Sequence, residues 1–226
     1  MCAAARPFAS TDTAHLLRRM QGSGVVVLEG SQGVLLDQDY GFFPYVTYSR
    51  TDHRPAQGLL GRISASSQTV VGVARTYTTR HGAGPMPTED IGFSHPEAHN
   101  HGGNAGRFRV GALDLALLKY ASEVCPVDEL AVTHVDRLSP TQPVCTGYTP
   151  AESLRAYNLF REGCPLFKRG TSHLRQTQIA LALFAAEIDT TDQDEAHVLP
   201  LMAAAASAKI GVISSGPTYE DKQALA

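Results

Sequence analysis

The chain has 226 residues, 43% of them hydrophobic, enough to bury a sizeable core as one domain or a tight pair. With 19 basic and 22 acidic residues the net charge is -3, which excludes the broad positive field that gathers nucleic acid or an anionic membrane. The opening MCAAARPFAS lacks the form of a secretory signal, and no stretch approaches the roughly 20 apolar residues of a membrane span, so the expectation is a soluble cytoplasmic protein.

Residues 11–21 carry Ala14, Leu16, Leu17 and Met20 at helical spacing, and Ser23-Gly24 ends that helix. Residues 25–28 are a short continuous run of Val and Leu, read as a buried parallel strand that opens into a loop at Glu29-Gly30. In open α/β sheets ligands sit at that end of the strands. A second apolar run, 69–74, leads into the polar segment 75–80 and then into His81-Gly-Ala-Gly-Pro-Met-Pro, too dense in Gly and Pro for helix or strand. Residues 113–124 predict a helix with Asp114 near its start, 129–134 a short buried strand, 178–188 and 198–208 buried helices, and 210–214 a last strand. This alternation predicts an α/β fold with a mostly parallel central sheet and flanking helices. One domain is expected over 1–226, with 1–24 a short helical lead-in and 148–196 an unassigned helical insert.

Five segments carry chemistry. In VVVLEGSQGVLLDQDYGFFPYVT, from Val25 to Thr47, the Gln32 carboxamide both donates and accepts hydrogen bonds, which suits the six-oxygen and ring nitrogen of a purine. Taken alone, it is as readily a solvated loop residue. Thr47 offers a hydroxyl competent for phosphate, or else a strand-end threonine satisfying its own backbone. The neighbouring aromatics read as packing. RTYTTRHGAGPMPTE runs from Arg75 to Glu89. In Gly102-Gly-Asn-Ala-Gly-Arg-Phe-Arg109, the planar forks of Arg107 and Arg109 match carboxylate geometry and could neutralise a dianion. Thr133-His134-Val135-Asp136 follows a predicted strand, and Ser214-Ser215-Gly216-Pro217 reads in isolation as a turn. His95, His99 and His101 match no zinc spacing and read as solvated. Cys2, Cys125, Cys145 and Cys164 are scattered and read as small buried thiols.

Together these segments resemble the adenylosuccinate synthetase family, ligases of the P-loop NTPase-like superfamily that join L-aspartate to the six-position of inosinate (IMP) at the expense of GTP. The resemblance runs in order from about Gly24 to Pro217. It implies that Gln32, Thr47 and Arg107 contact IMP, Gln32 also holding the 6-phosphoryl intermediate. It implies aspartate contacts from Gly103, Asn104, Ala105, Gly106, Arg107 and Arg109. GTP contacts are implied for Arg109, His134, Val135, Asp136, Ser214, Ser215 and Gly216. A carboxylate at Asp136 would select guanine, since adenine offers no matching donor pair. Asn104-Ala105 stands where the family has paired threonines, and His134 where Lys is common. The latter departure is closer to the short archaeal and phage branches, and phage relatives take dGMP in place of IMP.

The family's phosphate loop, its catalytic Asp and His and its Mg2+ ligands lie in an N-terminal half, and only about two dozen residues precede Val25 here. The expectation is therefore a truncated, C-terminal half of the enzyme, with no metal ligands of its own. Three readings follow. One is a ligase component completed by a separate polypeptide, or by an upstream reading frame, that carries the phosphate loop. The second is a non-catalytic purine-nucleotide module, and the third a decayed gene product. The family also implies a homodimer.

Overall fold

A computed structural model describes residues 12–22, 24–63, 68–89, 106–166 and 171–225. Helix α1 (Thr13–Gln21) starts at Asp12, whose carboxylate accepts from the His15 amide, and ends with Arg18 and Arg19 against its dipole. It packs Leu17 against Ile63 at the end of α2 (Arg54–Arg62). Then come β1 (Val71–Arg75), β2 (Thr78–His81), β3 (Phe108–Gly111), β4 (Leu113–Asp114), α3 (Leu115–Val124), β5 (Glu129–Thr133) and β6 (Thr141–Thr149). The chain continues through α4 (Glu152–Arg155), β7 (Phe160–Arg161), β8 (Cys164–Pro165), α5 (His173–Phe184), β9 (Glu187–Asp194), α6 (Glu195–Ala206), β10 (Lys209–Ser214) and β11 (Lys222–Ala224).

The central sheet has the order β1-β5-β10-β11, the first three strands parallel and the last antiparallel. Leu130 and Val132 of β5 point to one face, where Val198, Met202 and Ala206 of α6 bury them together with Leu113 and Val144. Gly72 shares that face, abutting Leu130 and Val127. Side chains alternate along a strand, so Val71 and Val73 lie on the opposite face, where they are 49% and 75% exposed. A second core of Phe42, Tyr120, Tyr148, Leu159, Ile179 and Leu183 joins α3, β6 and α5 to the loop after residue 37. Asp114 caps α3 by accepting from the Leu117 amide at 2.9 Å, and the Tyr148 hydroxyl donates to its other oxygen. Cys145 and Cys164 are buried free thiols and Cys125 is half-buried; burial raises the pKa of all three. Cys2 lies outside the described residues. Among the described residues no helix is long and apolar enough to cross a membrane.

Several sequence expectations need correction. Residues 25–28 form no strand, and Val25 and Val27 are 93% and 82% exposed. A strand is held by a neighbouring ladder, and none of the described strands pairs with this segment. The helix expected at 178–188 begins earlier, where the Ser172 hydroxyl accepts from the Arg175 amide, and stops at Phe184. The residues after it form β9, which pairs antiparallel with the whole of β6. Neither strand has the apolar alternation that marks one, and a proline such as Pro143 is disfavoured inside a sheet. It is tolerated because β4 pairs only with Val144 and Cys145, leaving Pro143 on a locally open edge. The 148–196 segment is thus mixed rather than helical, and β10 is followed by β11.

Candidate functional site

Three strand ends define the site. Arg75 of β1 lies in register with Thr133 of β5, and Thr133 with Ser214 of β10, so three parallel strands stop at one level. Beyond them the Thr76 amide donates to the Thr133 carbonyl at 3.2 Å and the Thr76 hydroxyl to the His134 carbonyl at 2.7 Å. His134 takes the left-handed conformation (φ 62°), its ring edge-on to Tyr77 and its Nδ1 2.9 Å from the Thr133 hydroxyl. That bend starts a short 3-10 turn, Val135–Arg137, where Arg137 Nε holds the Asp136 carboxylate at 3.0 Å with 35% of the Asp side chain exposed.

The neighbouring turn is equally fixed. Ser214 donates its hydroxyl to the Gly216 carbonyl at 3.1 Å, and the Ser215 amide donates to the Asp221 carbonyl. Gly216 lies so close to the Asp221 carboxylate that a Cβ would sit 2.6 Å from it, so no larger residue fits without displacing that side chain. Beside both turns an open cavity of about 590 Å³ is lined by Val135, Leu138, Leu199 and Ile213 together with Asp194 and Glu195.

The second cluster sits on the antiparallel pair of β2 and β3, where Arg80 faces Arg109. Arg109 donates from Nε to the Gly82 carbonyl at 3.1 Å, from Nη2 to the Gly84 carbonyl at 2.7 Å and from Nη1 to Glu89 at 2.7 Å. Its side chain is 13% exposed, whereas that of Arg107, which also meets Glu89, is 66% exposed. Arg80 is buried, donating to the Ala83 and Tyr45 carbonyls, each at 2.9 Å. Burial and then the adjacent Arg109 pull its pKa down to about 10. Gly84 (φ 117°) lies flat on that guanidinium, where a Cβ would approach Nη2 to 2.2 Å. Gly106 (φ 84°) likewise lies against the backbone of Gly82.

The Tyr45 carbonyl leads to the third cluster. Thr47 accepts from Gln32 Nε2 at 3.4 Å and lies 3.2 Å from the Ser49 hydroxyl. Gln32 is itself left-handed, at φ 63°. The intervening loop folds around the fully buried Asp37, whose carboxylate accepts from the amides of Asp39, Tyr40 and Thr51 at 2.8, 3.2 and 2.6 Å.

The structure therefore brings Gln32 to Thr47, Arg107 to Arg109, and the 133–136 motif to the 214–216 turn. Gly103, Asn104 and Ala105, with His95, His99 and His101, lie outside the described residues. Sequence reasoning missed Arg80, Glu89 and Asp37. Only Asp37 left a local signal, a carboxylate at the head of a turn-rich stretch that can accept its own downstream amides. Among the described residues no three His, Cys, Asp or Glu side chains gather to hold a metal, so no ligand set for Mg2+ can be assigned to them.

The chain has relatives. The curated adenylosuccinate synthetases of Clostridium beijerinckii and Thermoplasma volcanium are 38% identical over 150 residues and 41% over 141, covering 63% and 59% of this chain. Those alignments take in 35% and 32% of the relatives, so the match spans about a third of their length. The fully ligated adenylosuccinate synthetase of Plasmodium falciparum superposes with a TM-score of 0.69 at 20% identity, over 94% of this chain and 53% of that one. Cyanophage S-2L succinoaminodeoxyadenylate synthetase (PurZ), bound to dGMP and dATP as an energy donor, does so with a TM-score of 0.52 at 17% identity, over 93% and 49%. Both likenesses are of fold, an α/β architecture with a mostly parallel central sheet. A family model for adenylosuccinate synthetase matches residues 2–222, and the chain belongs to that family of purine-biosynthetic ligases.

Proposed function

We propose that this chain supplies the nucleotide, aspartate and guanine contacts of an adenylosuccinate synthetase-type reaction in the cytoplasm, the GTP-dependent joining of L-aspartate to IMP in AMP synthesis. Gln32 reads the purine six-position and steadies its 6-phosphoryl form, and Thr47 holds the nucleotide phosphate. Arg107 and Arg109 take a substrate carboxylate, and Gly103, Asn104, Ala105 and Gly106 are assigned to the same aspartate contact. His134, Val135, Asp136, Ser214, Ser215 and Gly216 frame the guanine of GTP, the Asp136 carboxylate accepting from ring N–H and amino group. The observation that carries this reading is the common level of Arg75, Thr133 and Ser214, which gathers motifs far apart in sequence at the carboxyl edge of the sheet.

The phosphate loop, the catalytic acid and base and the Mg2+ ligands are assigned to sequence other than these 226 residues, on a separate polypeptide or from an upstream reading frame. In support, parallel sheets are ordinarily covered on both faces, and here Val71 and Val73 stand bare on one of them. The alternative, a purine-nucleotide module that turns nothing over, shares the same binding site. The His134 departure and the likeness to phage relatives keep dGMP beside IMP as the acceptor to test, and the Asn104-Ala105 departure puts the identity of the amine to the same test.

The experiment is thermal denaturation with IMP, dGMP, GTP and ATP, alongside phosphate release and succinyl-nucleotide formation with L-aspartate and Mg2+. IMP or dGMP should raise Tm. GTP should raise it more than ATP does, and Asp136→Ala should erase that difference. The isolated chain should release no phosphate until a polypeptide bearing the phosphate loop is added. A Tm that no nucleotide moves would sink the proposal, and turnover by the chain alone would remove the need for a partner.

A further inference from the structure

Glu89 has no part in the binding roles proposed above, yet it sits between the two arginines on which the carboxylate site depends. One of its oxygens meets Arg107 and the other meets Arg109, the latter at 2.7 Å. A carboxylate spanning two guanidinium groups is the arrangement that a bound substrate carboxylate would itself adopt. The two halves of this bridge are unlike. Arg109 is nearly buried and is also anchored on the carbonyls of Gly82 and Gly84. Arg107 is 66% exposed, so its bond to Glu89 is screened by solvent and cheap to break. Glu89 is fixed by its own backbone, its amide donating to the Met86 carbonyl at 3.0 Å and its strand bridge running to Gly111. Beside Glu89 and Arg109 a cavity of about 210 Å³ opens towards Phe184, next to the bridge.

We infer that Glu89 is an internal carboxylate that occupies Arg107 in the unliganded protein and is displaced from it by the carboxylate of a small dicarboxylate ligand, while its bond to Arg109 persists. This rests on the reading of Arg107 as a carboxylate-binding group. Two guanidinium groups against one carboxylate leave one positive charge unmatched, so the site attracts an anion even while Glu89 is in place. Glu89 then sets the affinity by competition, and it keeps Arg107 from pairing with unrelated anions.

Calorimetric titration of the purified chain with succinate and with L-aspartate tests this, using the wild type, Glu89→Gln and Arg107→Ala. Glu89→Gln should bind both probes about two- to fivefold more tightly, the range that loss of one exposed ion pair allows. Arg107→Ala should abolish binding. If the probes bind, Arg107→Ala abolishes that binding and Glu89→Gln leaves it unchanged or weaker, the inference fails while the carboxylate site stands. Weakening for L-aspartate alone would make Glu89 an acceptor for the ammonium group, which also overturns it. If neither probe binds any variant, the reading of Arg107 fails and carries the inference with it. Should Glu89→Gln not fold, Glu89→Asp replaces it, since a side chain one methylene shorter keeps the charge but loses its reach to Arg107, and the same tightening is expected.

Discussion

Gln32 donates a side-chain N–H to the hydroxyl of Thr47, and the residue that does so holds a left-handed backbone. At 3.4 Å, and exposed to solvent, the contact contributes little to stability, so the proposed contact of Gln32 with IMP can be tested apart from folding. A left-handed non-glycine residue costs roughly 1–2 kcal/mol, and such outliers cluster at functional sites. Gln32→Gly relieves that cost and removes the carboxamide. The variant should melt at or slightly above the wild-type Tm while losing the Tm increase caused by IMP. A clear drop in Tm would make the pair structural.

Asp37 carries the loop on which Thr47 sits. Asp37→Ala leaves the amides of Asp39, Tyr40 and Thr51 without their acceptor, and the expected cost is about 3 kcal/mol, from unmet backbone donors and the loss of charge-assisted bonds. Urea unfolding should show a lower midpoint at an unchanged slope. Nucleotide binding should fall with it, because the Gln32–Thr47 geometry depends on the loop.

Asp114 makes stability depend on pH in the sense opposite to most carboxylates. Burial pushes its pKa up to about 6 from an ordinary 3.8, and hydrogen bonds from Tyr148 and the Leu117 amide offset only part of this. The folded protein binds this proton more tightly than the unfolded chain, so the contribution is fully present below about pH 4 and is lost as pH rises through 6. The magnitude is on the order of 3 kcal/mol. In Asp114→Asn the amide oxygen still accepts from Leu117, and this pH term should disappear. The difference between the two proteins in chemical denaturation at pH 4, 5, 6 and 7 measures it directly.

Val73 tests the bare face of the sheet. At 75% exposure, Val73→Asp should change the stability of the isolated chain by no more than about 0.5 kcal/mol. The same charge buried against a covering polypeptide costs far more. Co-purification and restored turnover with the phosphate-loop polypeptide should therefore be lost in Val73→Asp and kept in Val73→Ile. Equal assembly of both variants would place the partner elsewhere.

Helix α3 was legible because its signals are local, an apolar face behind a capping Asp114, and β5 and β10 were legible as short apolar runs. Residues 25–28 are at least as apolar as those strands and form none, since a strand is completed by its neighbour and not by its own residues. Strands β6 and β9 were hidden for the converse reason, as their pairing overrides Pro143 and a run of Thr and Asp. The candidate chemistry-bearing residues were chosen by functional group, since a guanidinium fork, a carboxamide and a carboxylate each have few uses; of their expected settings, Asp136 does follow a strand, whereas Gln32 does not. Arg80 and Glu89 were not, since each acts across elements distant in sequence.

By itself the sequence determined the α/β class and the family, because periodicity and motif chemistry are properties of short segments. Tertiary structure alone decided that Arg75, Thr133 and Ser214 end at one level, that Arg109 is already satisfied by protein while Arg107 is exposed, and that Val71 and Val73 of β1 stay exposed. Those outcomes depend on strand register, burial and competition for hydrogen-bond partners, which exist only once distant segments are packed together.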